Sequence, residues 1–252
     1  MKIAVGQEFF KLMKQELILK QSLILSGLIL LFAMVTKFGN LDVLSADSLV
    51  VTCFNSSWLI VFFMVYLASQ TFSMEFRLGT IKNLLKKNQQ RRIIFFSKLV
   101  TLIGYSLYLN VVAMTATICI SMILFPEVSL NQTEVLRVLV TNLLGNFIGM
   151  WLFASLSLMI SLAVPNESLA SILGIAAYFI SSMLAGIQFM VLDQFSWLRW
   201  NPLNMLNLSN QLSNNRIEKL TQLATNQLLI GNLVYIISFL LIANFLFSRK
   251  KV

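Results

Sequence analysis

The chain has 252 residues, of which 58% are hydrophobic and only 12% are charged. Soluble domains carry roughly a quarter charged residues, so this composition excludes an ordinary soluble protein. A net charge of +9 suggests nucleic acid in a soluble protein, but in a membrane protein basic residues gather on the cytoplasmic side, and we expect no nucleic-acid partner. Histidine is absent, which excludes histidine catalysis and histidine-ligated metals.

Six apolar runs are long enough to cross a bilayer, since a spanning helix needs about 20 mostly apolar residues. Backbone groups in lipid must be satisfied within their own segment, so each run is predicted to be helical. The sequence predicts an all-α polytopic membrane protein that forms a single transmembrane domain over 1–252. Five to seven spans are compatible with the pattern, and six fit it best: 22–38, 49–74, 99–125, 138–164, 168–192 and 228–247.

Residues 1–20 precede the first predicted span and mix apolar with charged side chains. Phe9, Phe10 and Met13 alternate with Glu8 and Lys11. This pattern favours an amphipathic helix that lies in the membrane interface. The alternative is a cytoplasmic extension of the first spanning helix.

The orientation follows from the basic residues between the spans. With the N-terminus inside, the cytoplasmic segments contain 14 of the 19 Lys and Arg residues. Such an excess is typical of the cytoplasmic side. We therefore expect both termini to be cytoplasmic.

Segment 75–98 is the one substantial cytoplasmic loop in this topology. From Thr80 it can form a short amphipathic helix, with Ile81, Leu84 and Leu85 on one face and Lys82 beside them. A partner that grips such a helix could move both flanking spans. The alternative is that the seven basic residues of the segment satisfy the positive-inside bias and contact anionic lipid headgroups.

Gly145 and Gly149 form a G-x-x-x-G pattern in the fourth predicted span. Such spacing allows close helix approach and can support a dimer contact. Ordinary packing within one subunit is the alternative. The long outer segment 193–227 is too apolar for a bare loop, and short helices folded back over the outer mouth are predicted there.

The spans exclude several functions. Every charged residue lies at a span end or in a loop, whereas ion-driven pumps normally carry a membrane carboxylate. No base lies in a span to activate a serine, so no catalytic residue is predicted, and no metal site is predicted either. The sequence G-x-x-x-x-G-K-[ST] is absent, so the chain has no ATP-hydrolysing P-loop of its own.

The pattern Glu75-x-x-x-Gly79-Thr80-Ile81-Lys82-x-Leu84-Leu85, followed by Arg91 or Arg92 and then Lys98, resembles the signature of ABC-2 type permeases. These permeases are the membrane subunits of ATP-driven exporters. The similarity extends over essentially the whole chain: an interfacial N-terminal segment, six spans, both ends inside and an elaborate outer connection. The stretch Trp200-Asn201-Pro202-Leu203-Asn204 is also similar to an Asn-Pro segment of these permeases.

The resemblance implies a mechanism. Two permease chains, identical or related, would pair, and each would receive a separate ABC ATP-binding subunit. The helix from Gly79 to Lys86 would sit in a groove on that subunit, with Glu75 and Arg77 holding its base and Gly79 letting the chain turn. The chain itself would bind no cofactor, because ATP and Mg would belong to the partner.

In its small size and compact loops the chain also resembles permeases of bacterial exporters for antimicrobial peptides, which act in lantibiotic immunity and bacitracin-type resistance. This implies a bacterial cytoplasmic membrane and an amphipathic peptide substrate. A lipid-linked or small lipophilic substrate is equally compatible with the apolar spans. A passive channel and a scaffold that only recruits a partner or lipid are the alternatives from other functional classes.

Overall fold

The computed structural model describes residues 2–39, 46–79, 91–128, 133–164, 166–192 and 194–250. Over these ranges the backbone forms helices and turns and no strand, which confirms the all-α class. Six of the described helices are long and apolar enough to cross a membrane. The protein is therefore a multi-pass membrane protein.

The described helices follow the apolar runs closely. They are α1 (Lys2–Lys14), α2 (Leu17–Phe38), α3 (Ala46–Val51), α4 (Ser57–Arg77), α5 (Arg91–Leu124), α6 (Thr133–Ala163), α7 (Glu167–Leu192), α8 (Pro202–Met205), α9 (Leu208–Ser213), α10 (Glu218–Thr221) and α11 (Thr225–Arg249). Short 3-10 turns occupy Cys53–Asn55, Ser196–Trp200 and Asn215–Ile217. The helices long enough to span are α2, α4, α5, α6, α7 and α11.

Helices α4 and α6 form the centre of the bundle. About half of the apolar window of each is buried (56% and 50%), against 11% for α7 and 22% for α2. The two central helices pack on each other, and α11 and α9 pack on α6. The outer helices therefore leave apolar faces open, as expected for surfaces in contact with lipid.

Helix α1 is a separate element and not an extension of α2. The two helices are separated at Glu16, whose backbone angles are left-handed (φ 55°). Phe10 and Met13 are exposed on the outside of α1, while Glu8 faces the bundle. The apolar outer face agrees with an interfacial helix, and its depth in the membrane stays a prediction.

The second predicted span, 49–74, is divided in the structure. Helix α3 ends at Val51, and Cys53, Phe54 and Asn55 all have positive φ before α4 begins at Ser57. Phe54 is buried by this turn and packs against Phe125 with ring centroids 5.9 Å apart. Hydropathy averaged over a long window did not separate the two pieces, because apolar runs on both sides outweigh the few polar residues of the turn, such as Asn55 and Ser56.

Helix α5 begins eight residues before the predicted span 99–125. Its 34 residues correspond to a length of roughly 51 Å at 1.5 Å per residue, well beyond a hydrocarbon core of about 30 Å. Lys98 therefore lies two turns inside a helix. Charged residues at a helix end lower the local hydropathy, but the helix continues through them.

The segment between α7 and α11 consists of short helices and 3-10 turns, as predicted. Buried amides bind it to α11 and join its own turns to one another. Asn232 Nδ2 donates to the Met205 carbonyl oxygen at 2.8 Å, and Asn204 Nδ2 donates to the Thr221 carbonyl oxygen at 2.9 Å. Because the carbonyls of short turns lack helical partners, these amides satisfy groups that would otherwise be buried unpaired.

Candidate functional site

The site lies at the end of the bundle where residues 80–90 connect α4 to α5, called here the loop end. Glu75 stands in the last turn of α4 and Lys98 in the third turn of α5. Both side chains are buried, with 5% of Glu75 and 1% of Lys98 exposed. Such burial is rare for charged residues that have no charged partner.

Four side chains from three helices form one ion-pair network, called here the charge cluster: Glu8, Lys11, Glu75 and Lys98. Lys98 Nζ lies 2.9 Å from Glu75 Oε1 and 3.0 Å from Glu8 Oε2. Lys11 Nζ lies 2.8 Å from Glu75 Oε1 and 2.8 Å from Glu8 Oε1. Each base contacts both acids, so α1, α4 and α5 are joined at one point.

Burying a charge is costly unless an opposite charge compensates it. Removing one partner of a buried pair therefore destabilises the protein by more than the intact pair stabilises it. The charge cluster meets this condition with two acids and two bases. Lys98 Nζ also lies 5.4 Å from the centroid of the Phe72 ring, a cation–π distance. The cluster is therefore a tightly interdependent set.

The surroundings shift the pKa values of the two groups on α1. Burial acts to raise the pKa of the Glu8 carboxyl, but the charges of Lys98 and Lys11 outweigh it and the pKa lies below its usual 4.5. Burial acts to lower the pKa of Lys11, but hydrogen bonds to Glu75 and Glu8 outweigh it and the pKa lies above its usual 10.5. Both groups therefore carry charge across the neutral range.

A cavity of about 260 Å³ opens beside the charge cluster, between α1, α4 and α5. Its walls are mainly apolar, with Leu12, Leu67 and Leu102 among the lining residues. All four residues of the charge cluster are also among the lining residues. The cavity separates α1 from part of α4. The ion pairs of the charge cluster are therefore the main contacts between these two helices.

The start of α5 is tied to the end of α11. One terminal guanidinium nitrogen of Arg91 donates to the carbonyl oxygens of Phe247, Ser248 and Lys250 at 3.1, 2.8 and 2.9 Å. A cation at a helix C-terminus also complements the helix dipole. Phe247 packs in turn on Phe72, with ring centroids 4.9 Å apart. The start of α5, which follows residues 80–90, is thus fixed on the end of α11.

Of the residues predicted to couple the chain to an ATPase, the structure describes three. Glu75 is in the charge cluster, Arg77 is exposed in the last turn of α4, and Gly79 has a left-handed backbone (φ 65°). Glycine adopts that conformation without the steric cost that a Cβ imposes. The other predicted coupling residues lie outside the described residues: Thr80, Ile81, Lys82, Leu84 and Leu85.

The two glycines of α6 have different surroundings. A Cβ on Gly145 would stand 2.8 Å from Ser209 Cα, so this glycine lets α9 pack closely on α6 within the same chain. A Cβ on Gly149 would meet nothing within 4 Å. A dimer contact at this pair stays a prediction, and close packing within the subunit accounts for Gly145.

Sequence reasoning missed that Lys11 and Lys98 pair with Glu75 and that Glu8 pairs with the same two lysines. The signal available was that Glu8 and Lys11, three residues apart, share a helix face. Their long-range partners are 64 to 90 residues away in sequence, and no spacing rule connects them. Among the described residues, no group of three His, Cys, Asp or Glu could hold a metal ion.

A family model described as "Protein of unknown function (DUF2705)" matches residues 9–252, which is nearly the whole chain. A search of curated proteins gave no match.

Proposed function

We propose that this chain, which belongs to the DUF2705 family, is the permease subunit of an ATP-driven exporter. A separate ABC ATP-binding subunit would bind segment 75–98 on the cytoplasmic side, and a second permease chain would complete the pore. The membrane would be the bacterial cytoplasmic membrane, with both termini inside. The substrate would be an amphipathic peptide taken from the membrane.

The observation that carries this proposal is the ion pair between Glu75 and Lys98, 2.9 Å long and nearly inaccessible to solvent. It joins the last turn of α4 to the third turn of α5, the two helices that flank residues 80–90. A force applied to that segment would therefore move both helices together and would not bend one away from the other. A buried ion pair between the two flanking helices suits a segment that transmits force. A loop that only contacts lipid headgroups would not need one.

The rest of the loop end supports the same reading. Helix α4 is the most buried span, and α6 and α7 pack on it, so a displacement of α4 would also displace these two helices. Gly79 permits the chain to turn where it leaves α4. Because the sequence lacks a P-loop, the energy would come from the partner subunit.

The test is affinity purification of the chain from its native membranes in mild detergent, with ATP hydrolysis measured in the eluate. We expect an ATPase subunit to co-elute and to hydrolyse ATP. Gly79→Pro should abolish coupled hydrolysis, because proline requires φ near −65° and the native angle is +65°. Gly79→Asn is the matched control, since asparagine tolerates left-handed angles and should retain activity.

Two outcomes would contradict the proposal. If no ATPase accompanies the native chain in any of several detergents, the exporter assignment is wrong. Ion conductance of the purified chain in liposomes would then indicate a passive channel, and its absence a scaffold. If Gly79→Pro and Gly79→Asn retain the same coupled activity, the ATPase binds elsewhere and the coupling role of segment 75–98 is wrong.

A further inference from the structure

The cavity beside the charge cluster extends along α4. Its lining on that helix runs from Tyr66 to Leu78. At 1.5 Å per residue this stretch is roughly 18 Å long. A volume of about 260 Å³ spread along such a stretch is long and narrow, a shape that suits a single hydrocarbon chain.

The polarity of the lining changes along both spans. On α4 it passes from Glu75, in the last turn, back to Leu67, and on α5 it passes from Lys98 to Leu102. The charged residues are thus the lining groups closer to the loop end, and the leucines lie nearer the middle of the spans. Because charged side chains avoid the hydrocarbon core, the charged end lies at the membrane interface and the apolar part at the depth of lipid chains.

Lys11 is the member of the charge cluster that a ligand can reach. Its side chain is 47% exposed, whereas those of Glu8 and Glu75 are 15% and 7% exposed. The side chain of Lys98 is buried. An ammonium group has three N–H donors, and the two carboxylates accept two of those of Lys11. A phosphate oxygen at the mouth of the cavity would accept the third.

Gln70 adds a polar group within the apolar part of the lining. Along the axis of α4 it lies roughly 7.5 Å from Glu75, toward the middle of the helix. The ester carbonyls of a glycerophospholipid likewise lie deeper in the membrane than its phosphate. The Gln70 amide can therefore donate to an ester carbonyl oxygen of a lipid whose phosphate contacts Lys11.

A peptide suits this cavity less well than a lipid does. Each buried peptide unit brings an N–H and a carbonyl that need partners. The apolar part of the cavity offers few, because the Thr71 hydroxyl already donates to the Leu67 carbonyl oxygen of its own helix at 2.6 Å. An acyl chain needs no such partners, and acyl chains surround the bundle in the membrane.

We propose that this cavity binds a glycerophospholipid, with one acyl chain between α1 and α4, its phosphate on Lys11 and an ester carbonyl oxygen on the Gln70 amide. The chain occupies the space that separates α1 from α4, so the lipid holds α1 in addition to the ion pairs of the charge cluster. The inference requires a membrane protein and does not depend on the proposed export function.

The test is photo-crosslinking of the full chain, purified and stripped of lipid in detergent. The probe is a phosphatidylglycerol with a diazirine in one acyl chain, and the labelled positions are mapped by mass spectrometry. We expect labels on cavity-lining residues of α1, α4 and α5. Unlabelled phosphatidylglycerol should displace the probe about tenfold better than diacylglycerol with the same chains, because the latter lacks the phosphate that Lys11 binds.

A variant that fills the cavity separates this site from labelling of the outer surface. Thr71→Phe should abolish the cavity labels. Thr115→Phe is the matched control, since Thr115 also donates to a carbonyl oxygen of its own helix but is exposed and lies outside the cavity lining. Equal melting temperatures of the two variants, measured without added lipid, verify that both fold.

Two further variants test the polar contacts. In Lys11→Met, phosphatidylglycerol and diacylglycerol should displace the probe equally well. This ratio reports recognition of the phosphate, whereas a loss of folding would remove labelling by both lipids. Gln70→Leu should weaken binding of the probe by about fivefold, the net value of one hydrogen bond.

Three results would overturn the inference: cavity labels that persist in a folded Thr71→Phe, equal displacement of the probe from the native chain by diacylglycerol, or displacement by the blocked peptide N-acetyl-leucyl-leucyl-leucinamide in place of lipid. The last would indicate a peptide in the cavity. If Thr71→Phe does not fold, the competition on the native chain decides. The assay needs no ATPase, so its failure leaves the proposed function standing.

Discussion

At the scale of single residues, Lys98 is the side chain on which the charge cluster depends. We expect Lys98→Met to destabilise the protein by about 3–5 kcal/mol, since it leaves two buried carboxylates with a single cation. The measurement is the apparent melting temperature, read from the reactivity of buried Cys53 in a Cys119→Ala background. Adding Glu8→Gln should recover part of the loss by restoring charge balance.

The control for this prediction is Lys20→Met, which removes a bridge to Glu16 whose two side chains are 63% and 70% exposed. Exposed pairs contribute about 0–1 kcal/mol, so this variant should melt close to the native chain. Equal effects of Lys98→Met and Lys20→Met would show that the charge cluster does not hold the helices together.

Glu8 makes the attachment of α1 dependent on pH. Its folded-state pKa lies below 4.5, so its contribution to stability is complete above the unfolded-state pKa and is lost as the pH falls through the folded value. We expect the native chain to lose stability below about pH 4.5, relative to Glu8→Gln, when melting temperatures are compared from pH 7 to pH 3. Parallel pH profiles of the two proteins would contradict this role of Glu8.

At the scale of elements, the contact between α6 and α9 depends on Gly145. We expect Gly145→Ala to cost about 1–3 kcal/mol, because its Cβ would stand 2.8 Å from Ser209 Cα and force the two helices apart. Gly27→Ala in α2 is the matched control, since its Cβ meets nothing within 4 Å. Alanine there should be neutral or stabilising by about 0.5–1 kcal/mol. Thermal unfolding of both variants in detergent compares them directly.

At the scale of the whole molecule, the orientation can be tested with introduced cysteines. In a chain whose Cys53 and Cys119 are replaced by alanine, Lys219→Cys should react with a membrane-impermeant thiol reagent in intact cells. Ser248→Cys should react only after the cells are opened, because the positive-inside bias places α11's end in the cytoplasm. Both positions are exposed. The reverse labelling pattern would show that the chain has the opposite orientation in the membrane.

Hydropathy predicted which segments form long helices, but it misplaced the ends of some of them. The ends of α7 and α11 lie within three residues of the predicted spans, because the apolar run and the helix coincide there. At α5 they do not coincide, since Arg91 and Arg92 continue the helix into a polar environment. At Cys53–Asn55 a short turn between two apolar runs did not lower the averaged hydropathy enough to be recognised. Length and apolarity therefore decide whether a span exists, and local backbone angles decide where it ends.

The candidate site was predictable only in part. Glu75 and Gly79 were identified by a local pattern, and local patterns are readable because their residues are close along the chain. The partners of Glu75 are brought to it by helix packing, which no spacing encodes.

The sequence by itself determined the class, the number of spanning helices and the segment that joins α4 to α5, because lipid imposes a length and an apolarity that are properties of single segments. Only the tertiary structure decided which charges are paired and how α1 is held. Those outcomes depend on side chains that are distant in sequence and meet only when the helices pack.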